Sequence, residues 1–236
     1  MKVAILQSNY IPWKGYFDII NDVDIFVFYD CVKYTKNDWR NRNRIYSKNG
    51  VQWLTIPISS CATNLMIDEV KITDSRWQEK HYKSLSLAYR NAPYYYQLEE
   101  LMSIYLIERK WDYLSELNQY LIKYIANKIG VSTKFYNARE LNISHSHKVD
   151  KVERLIDILS LLKAKIYISG PAAKEYILGK EYLFYNAGIE LFYKHYPKYP
   201  PYKQLSSPFE DHVSIVDMIA NIAWHEIPKF IWQYER

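Results

Sequence analysis

The stretch KVAILQSNYIPWKGYFDIINDVDIFVFY, residues 2–29, decides the fold. Residues 2–6 read as a short buried strand. Pro12 suits the first turn of a helix, where its missing N–H would be unpaired anyway. Trp13, Phe17, Ile20 and Val23 then fall on one helical stripe. Residues 25–29, IFVFY, are long enough only for a second buried strand. Strand, helix, strand is the unit that builds a parallel sheet. The expected class is α/β, a Rossmann-like parallel or mixed sheet flanked by helices.

Working outward, residues 44–47 and 51–58 flank Lys48-Asn49-Gly50, a hairpin signal near the N-terminus. Pro57 confines the second arm to a sheet edge or ends it, and residues 70–72 suit a short strand. The middle of the chain reads as helical, over about 75–163. Ser75 with Gln78 fits a capping box opening a helix at 76–90. Helices at 94–108 and 111–129 follow, and Gly130 ends the latter. Residues 150–163 repeat apolar side chains at Val152, Leu155, Ile156, Leu159 and Leu162. A strand at 166–169, a short helix at 172–178 and a strand at 189–193 come next. Ser214 with Asp217, stapled by Val213 and Met218, opens a last helix reaching about Trp224. The expectation is one domain over residues 1–236.

Composition narrows the class. The two cysteines, Cys31 and Cys61, make neither a disulfide framework nor a zinc signature. The first residues lack the apolar core and cleavage site of a signal peptide, and no apolar run is long enough to cross a membrane. A cytoplasmic protein is expected. The formal charge of +5 is too mild and too mixed to argue for nucleic acid, and suits an anionic small molecule. The 24 tyrosines offer flat faces with hydroxyls, as sugar- and base-binding sites do. An AT-rich coding sequence enriches the same residue.

Two segments carry the candidate chemistry. The first, 7–16, lies where strand gives way to helix, the edge where open parallel sheets gather ligands. There Gln7 and Asn9 offer amides, Lys14 a charge and Tyr10 a ring. The second, 30–44, follows the next strand directly. Asp30 stands at a strand end, where a carboxylate is well placed as a base or a metal ligand. Arg40, Arg42 and Arg44 alternate, so an extended backbone puts them on one face with Trp39 on the other. Guanidinium forks grip phosphate. The turn Ser169-Gly170 lets a backbone approach a ligand closely. His195 follows a strand end and suits acid–base work. His145 and His147 lack an evident third metal ligand, and Cys31 reads as a small buried hydrophobe.

Taken together, QSNYIPWKGYFDII (7–20), YDCVKYTKNDWRNRNRI (29–45), WLTIPI (53–58), YISGPAAKEY (167–176) and YKQLSSPFEDHVSIVDMI (202–219) resemble the WbqC-like family. The family usually has proline where this chain has Ser8, and often aspartate at Cys31 and glutamine at Lys33. Gln7, Asn9, Tyr10, Asp30, Tyr34, Trp39, Arg40 and Arg42 match. The resemblance implies a role in O-antigen or other surface polysaccharide biosynthesis. It implies transfer of an acyl or aminoacyl group, such as glycine, to a nucleotide-linked deoxyamino sugar.

On that reading Asp30, His195 and Asn9 serve catalysis. Gln7, Tyr10, Lys14, Tyr34, Trp39, Arg40, Arg42, Ser169 and Gly170 bind substrate. An acidic carrier protein is a plausible acyl donor, and no motif specifies a cofactor. The alternatives are a nucleotidyl-handling transferase and a non-catalytic sugar-nucleotide-binding protein.

Overall fold

The computed structural model describes residues 1–74, 76–141 and 150–232. Ser75 of the first expected capping box, and the pair His145 and His147, lie outside the described residues. The strands are β1 (Lys2–Leu6), β2 (Ile25–Phe28), β3 (Arg42–Ser47), β4 (Gly50–Thr55), β5 (Lys134–Asn137), β6 (Ile166–Ser169) and β7 (Glu190–Tyr193). The α-helices are α1 (Lys14–Asn21), α2 (Arg76–Tyr89), α3 (Tyr95–Met102), α4 (Leu114–Lys128), α5 (Lys151–Leu161), α6 (Lys174–Ile177), α7 (Glu181–Asn186) and α8 (Val216–Asn221).

Five strands form an all-parallel sheet in the order β5-β2-β1-β6-β7. Successive side chains on a strand point to opposite faces, and both faces here are apolar. Ala4, Phe26 and Phe28 face a core shared with α1 and α4, through Phe17, Ile20, Leu121 and Ile125. Val3, Ile5, Ile25 and Val27 face a second core built from Val152, Leu155 and Leu159 of α5 and Phe184 of α7. Burial on both faces explains why IFVFY reads as a continuous apolar run without alternation.

The strand order fixes where a ligand belongs. From β1 the chain steps to β2 and then to β5. It then crosses back to β6, on the other side of β1, and continues to β7. The direction of stepping therefore reverses between β1 and β6. Open α/β sheets bind ligands outside the carboxyl ends of their strands at such a switch.

Several expectations shift. The hairpin forms as β3 and β4, with Ser47 paired to Gly50. Its two connecting residues are thus Lys48 and Asn49, and Gly50 takes the left-handed φ of +90°. The expected strand at 70–72 is reduced to isolated bridges at Lys71 and Ile72. The helical middle is interrupted by β5, KFYN, whose half-exposed pattern has no apolar run to announce it. Helix α7, between β6 and β7, is a further element that the sequence reading lacks. At α8, Ser214 Oγ does accept the Val216 N–H at 3.3 Å. The Asp217 carboxylate does not complete a capping box; it accepts hydrogen bonds from Tyr202 and Gln204.

The segment after α1's start is tied to the chain's last third. Gly15 leaves room for the Trp13 indole, because a Cβ there would lie 2.0 Å from a ring carbon. Trp13 packs among Tyr196, Tyr199 and His212 and donates its ring N–H to the Asp211 carbonyl. Lys14 is buried against the Asp211 carboxylate and lies over the Tyr199 and Tyr202 rings. The tyrosine-rich stretch before α8 is therefore a packed strap over α1.

Candidate functional site

Three loops meet at the switch point: the one after β1, the one after β2 and the turn after β6. They border a cleft of about 550 Å³. Its wall is set by a network that fixes the first two loops to each other. The Ser8 N–H donates to the Asp30 carboxylate at 2.7 Å, and the Tyr10 N–H to the Trp39 carbonyl at 3.0 Å. Ile11 adopts a left-handed φ of 35°, strained for a β-branched residue. Asn43 and Ser214 hold it there by donating to its carbonyl. A loop this constrained presents Gln7 and Asn9 in fixed positions.

Arg40 is the organising cation. Its guanidinium donates to the Asn9 and Gln7 side-chain oxygens, and all three residues line the cleft. Its Nε is buried with no hydrogen-bond partner. Lys33, from the loop after β2, is a second cation, and Lys151 and Arg154, on the first turns of α5, are two more. Ser169 and Gly170 line the floor beside β1. No carboxylate or histidine is among the lining residues described. Arg40 also pairs with the Asp38 carboxylate at 3.4 Å, so the charge in the cleft is positive chiefly through Lys33, Lys151 and Arg154, which favours an anion.

Other expected site residues stand elsewhere. Asp30 is fully buried, and its carboxylate accepts bonds from Ser8 N–H, Ser115 Oγ and Gln119 Nε2. It bolts β2 to α4 and does not reach the cleft as a base. Tyr10 is likewise fully buried, bonded to His81 and Tyr105. Burial holds His81 down at about 4, so its ring is neutral. Tyr34 is buried and donates to Asn41. Lys14 sits under the strap already described. His195 is exposed just past β7 and is not part of the cleft lining.

The arginine alternation holds only within the strand. Arg40 lies in the turn before β3, so it turns toward Gln7 while Arg42 and Arg44 share the hairpin's outer face. Trp39 joins them there rather than opposing them. It lies 5.5 Å from Trp53, and Arg42 stacks 4.4 Å over the Trp53 ring. The cleft also draws in residues that the sequence reading does not single out, among them Lys151 and Arg154. These two look like the solvated face of an amphipathic helix. The signal was their position: cations in a helix's first turns oppose its dipole.

Cys31 lines the cleft but is buried, and burial pushes its thiol up to about 11. A thiol that stays protonated is a poor nucleophile, whereas Cys61 is exposed. Brief treatment of the native protein with iodoacetamide at pH 8 should therefore alkylate Cys61 and spare Cys31. Peptide mass mapping checks this, and fast labelling of Cys31 would contradict it.

Among the described residues no helix is long and apolar enough to cross a membrane, and no cluster of three metal-ligating side chains occurs. Fold and cleft define a doubly wound α/β protein with a donor-rich, cationic site at its strand-order switch. The chain belongs to the WbqC-like protein family, whose profile matches residues 7–228. It is 37% identical over 231 residues to the uncharacterized protein Rv1507c of Mycobacterium tuberculosis, an alignment covering 98% of this chain and 97% of that one. No solved structure matches it significantly.

Proposed function

We propose that this protein is a transferase that moves an acyl or aminoacyl group, such as glycyl, to the nitrogen of a nucleotide-linked deoxyamino sugar for surface polysaccharide. The observation that supports this reading best is the cleft at the switch point, with four cations and no carboxylate among its described lining residues. A sugar nucleotide brings a diphosphate, which needs such a grip. The half-exposed ring of Tyr176 at the cleft offers a face for a base or sugar. The Ser169-Gly170 turn is the candidate source of donors to an oxyanion.

One observation favours a second reading, a sugar-nucleotide-binding protein without catalysis. The described lining supplies no carboxylate or histidine to act as a base. Its Tyr29 hydroxyl and Cys31 thiol are pushed up to about 12 and about 11, so both stay protonated at neutral pH.

A thermal-shift panel of sugar nucleotides, nucleoside triphosphates and acyl donors separates the readings. A ligand present at about 100 times its Kd adds about 2.7 kcal/mol of apparent stability. Stabilisation by a sugar nucleotide and, independently, by an acyl donor is expected. A shift with sugar nucleotide alone favours the binding reading. Stabilisation only by a triphosphate with magnesium would overturn both.

A further inference from the structure

The part of the cleft formed by α5 and the end of β2 contains groups that the fold itself does not use. Arg154 is half-buried, and its Nε has no hydrogen-bond partner. The Tyr29 hydroxyl is buried and equally unpartnered. Buried donors are nearly always satisfied, so each such orphan calls for an explanation. Among the described residues, neither Arg154 nor Lys151 forms an ion pair, although Asp150, their neighbour, pairs with Lys180. Both cations also sit at the end of α5 where the helix dipole disfavours them. The helix gains nothing from them there, since Asp150 and Glu153 already complete its capping box.

Gly170, on the floor of the same cleft, adds an independent observation. Its φ is −67°, which any residue adopts. A Cβ built there would meet only a Leu6 methyl, at the ordinary distance of 3.7 Å. Neither backbone conformation nor packing within the chain requires glycine. Gly170 itself lines the cleft.

We propose that Arg154, Lys151 and the Tyr29 hydroxyl form a phosphate subsite, opposite Arg40, that completes the grip on the substrate's diphosphate. This deepens the reading of the cleft given under Proposed function and rests on it for the identity of the substrate. The chemistry is rich in donors. The two cations accept nothing and the hydroxyl can donate as well, which suits a fully ionised phosphate oxygen. Burial, partly offset by the Arg154 charge, keeps the Tyr29 hydroxyl protonated, so it donates throughout the neutral range. Gly170 lets the phosphate approach the chain closely, as glycines do in other phosphate-binding turns.

The test uses the full chain with sodium pyrophosphate, UDP and uridine as probes, by calorimetry at low salt and by thermal melting. Wild type should bind UDP and pyrophosphate and ignore uridine. Arg154→Met should weaken both anions about tenfold to a hundredfold, and Arg154→Lys should recover part of that. Tyr29→Phe is the sharper variant, because the hydroxyl has no partner in the fold. It should leave the ligand-free melting temperature unchanged or raised, yet weaken pyrophosphate about tenfold. A merely structural hydroxyl would do the reverse, lowering the melting temperature at constant affinity.

Wild-type affinity for UDP in both Arg154→Met and Tyr29→Phe overturns the subsite while leaving the substrate reading standing. Pyrophosphate binding that depends on both residues supports the subsite, even where no sugar nucleotide binds better than UDP. That last result would sink the substrate reading alone.

Discussion

Replacing Asp30 by alanine is expected to destabilise the protein strongly, by about 3–5 kcal/mol. The carboxylate is fully buried and accepts from Ser8 N–H at 2.7 Å, Ser115 Oγ at 2.5 Å and Gln119 Nε2 at 2.9 Å. Removing it leaves the Ser8 N–H and the Ser115 hydroxyl without their acceptor and Gln119 Nε2 with only its bond to Ser115 Oγ, and each buried orphan costs about 1–3 kcal/mol. That is a large share of the roughly 5–15 kcal/mol by which a domain is stable. Asp30→Asn keeps the shape but puts an amide N–H₂ where an acceptor stood, so an intermediate loss is expected. Urea denaturation of both variants is the measurement. A catalytic base would give the opposite result, with variants that melt like wild type and fail only in turnover.

The second large effect is on affinity. Arg40→Ala is expected to weaken a sugar nucleotide about tenfold to a hundredfold, the loss of one charge-assisted contact of about 1.5–3 kcal/mol. Arg40→Lys should recover only part, because an ammonium cannot hold Gln7, Asn9 and a phosphate with one planar fork. Arg42→Ala is the contrast. That side chain stacks on Trp53 and bonds the Asn37 carbonyl on the hairpin's outer face. Its loss should leave the affinity unchanged and cost less than about 1 kcal/mol of stability. Titration calorimetry on all three variants decides it. Equal losses for Arg40→Ala and Arg42→Ala would mean that the two act on one ligand after all.

The sequence carries the outline of this arrangement unevenly. Residues 2–29 are legible because β1, α1 and β2 are contiguous and their periods differ. The two loops that meet at the cleft are legible because each directly follows a strand. What those loops do with each side chain is not. Asp30 and Asn9 have the same local look, polar residues at strand ends. One bolts β2 to α4 and the other orients Arg40, and only the packing of α4, some 85 residues onward, separates them.

The alternation of Arg40, Arg42 and Arg44 misled for a related reason. A period of two holds inside a strand, and β3 begins at Arg42. Tyrosine abundance misled too. Tyr10, Tyr89, Tyr105 and Tyr167 are fully buried, so much of the apparent sugar-binding surface is core. For Arg154 and Lys151 the local signal is only their place in the first turns of α5, against the helix dipole; which cleft they line depends on where α5 packs, and the local sequence does not record that.

A crystal structure of the protein with a bound sugar nucleotide tests the cationic switch-point cleft most directly. The diphosphate is expected outside β1 and β6, between Arg40 and Arg154 and against Gly170. A diphosphate seated elsewhere, for example on the Trp39 and Trp53 face of the hairpin with the cleft empty, would contradict it.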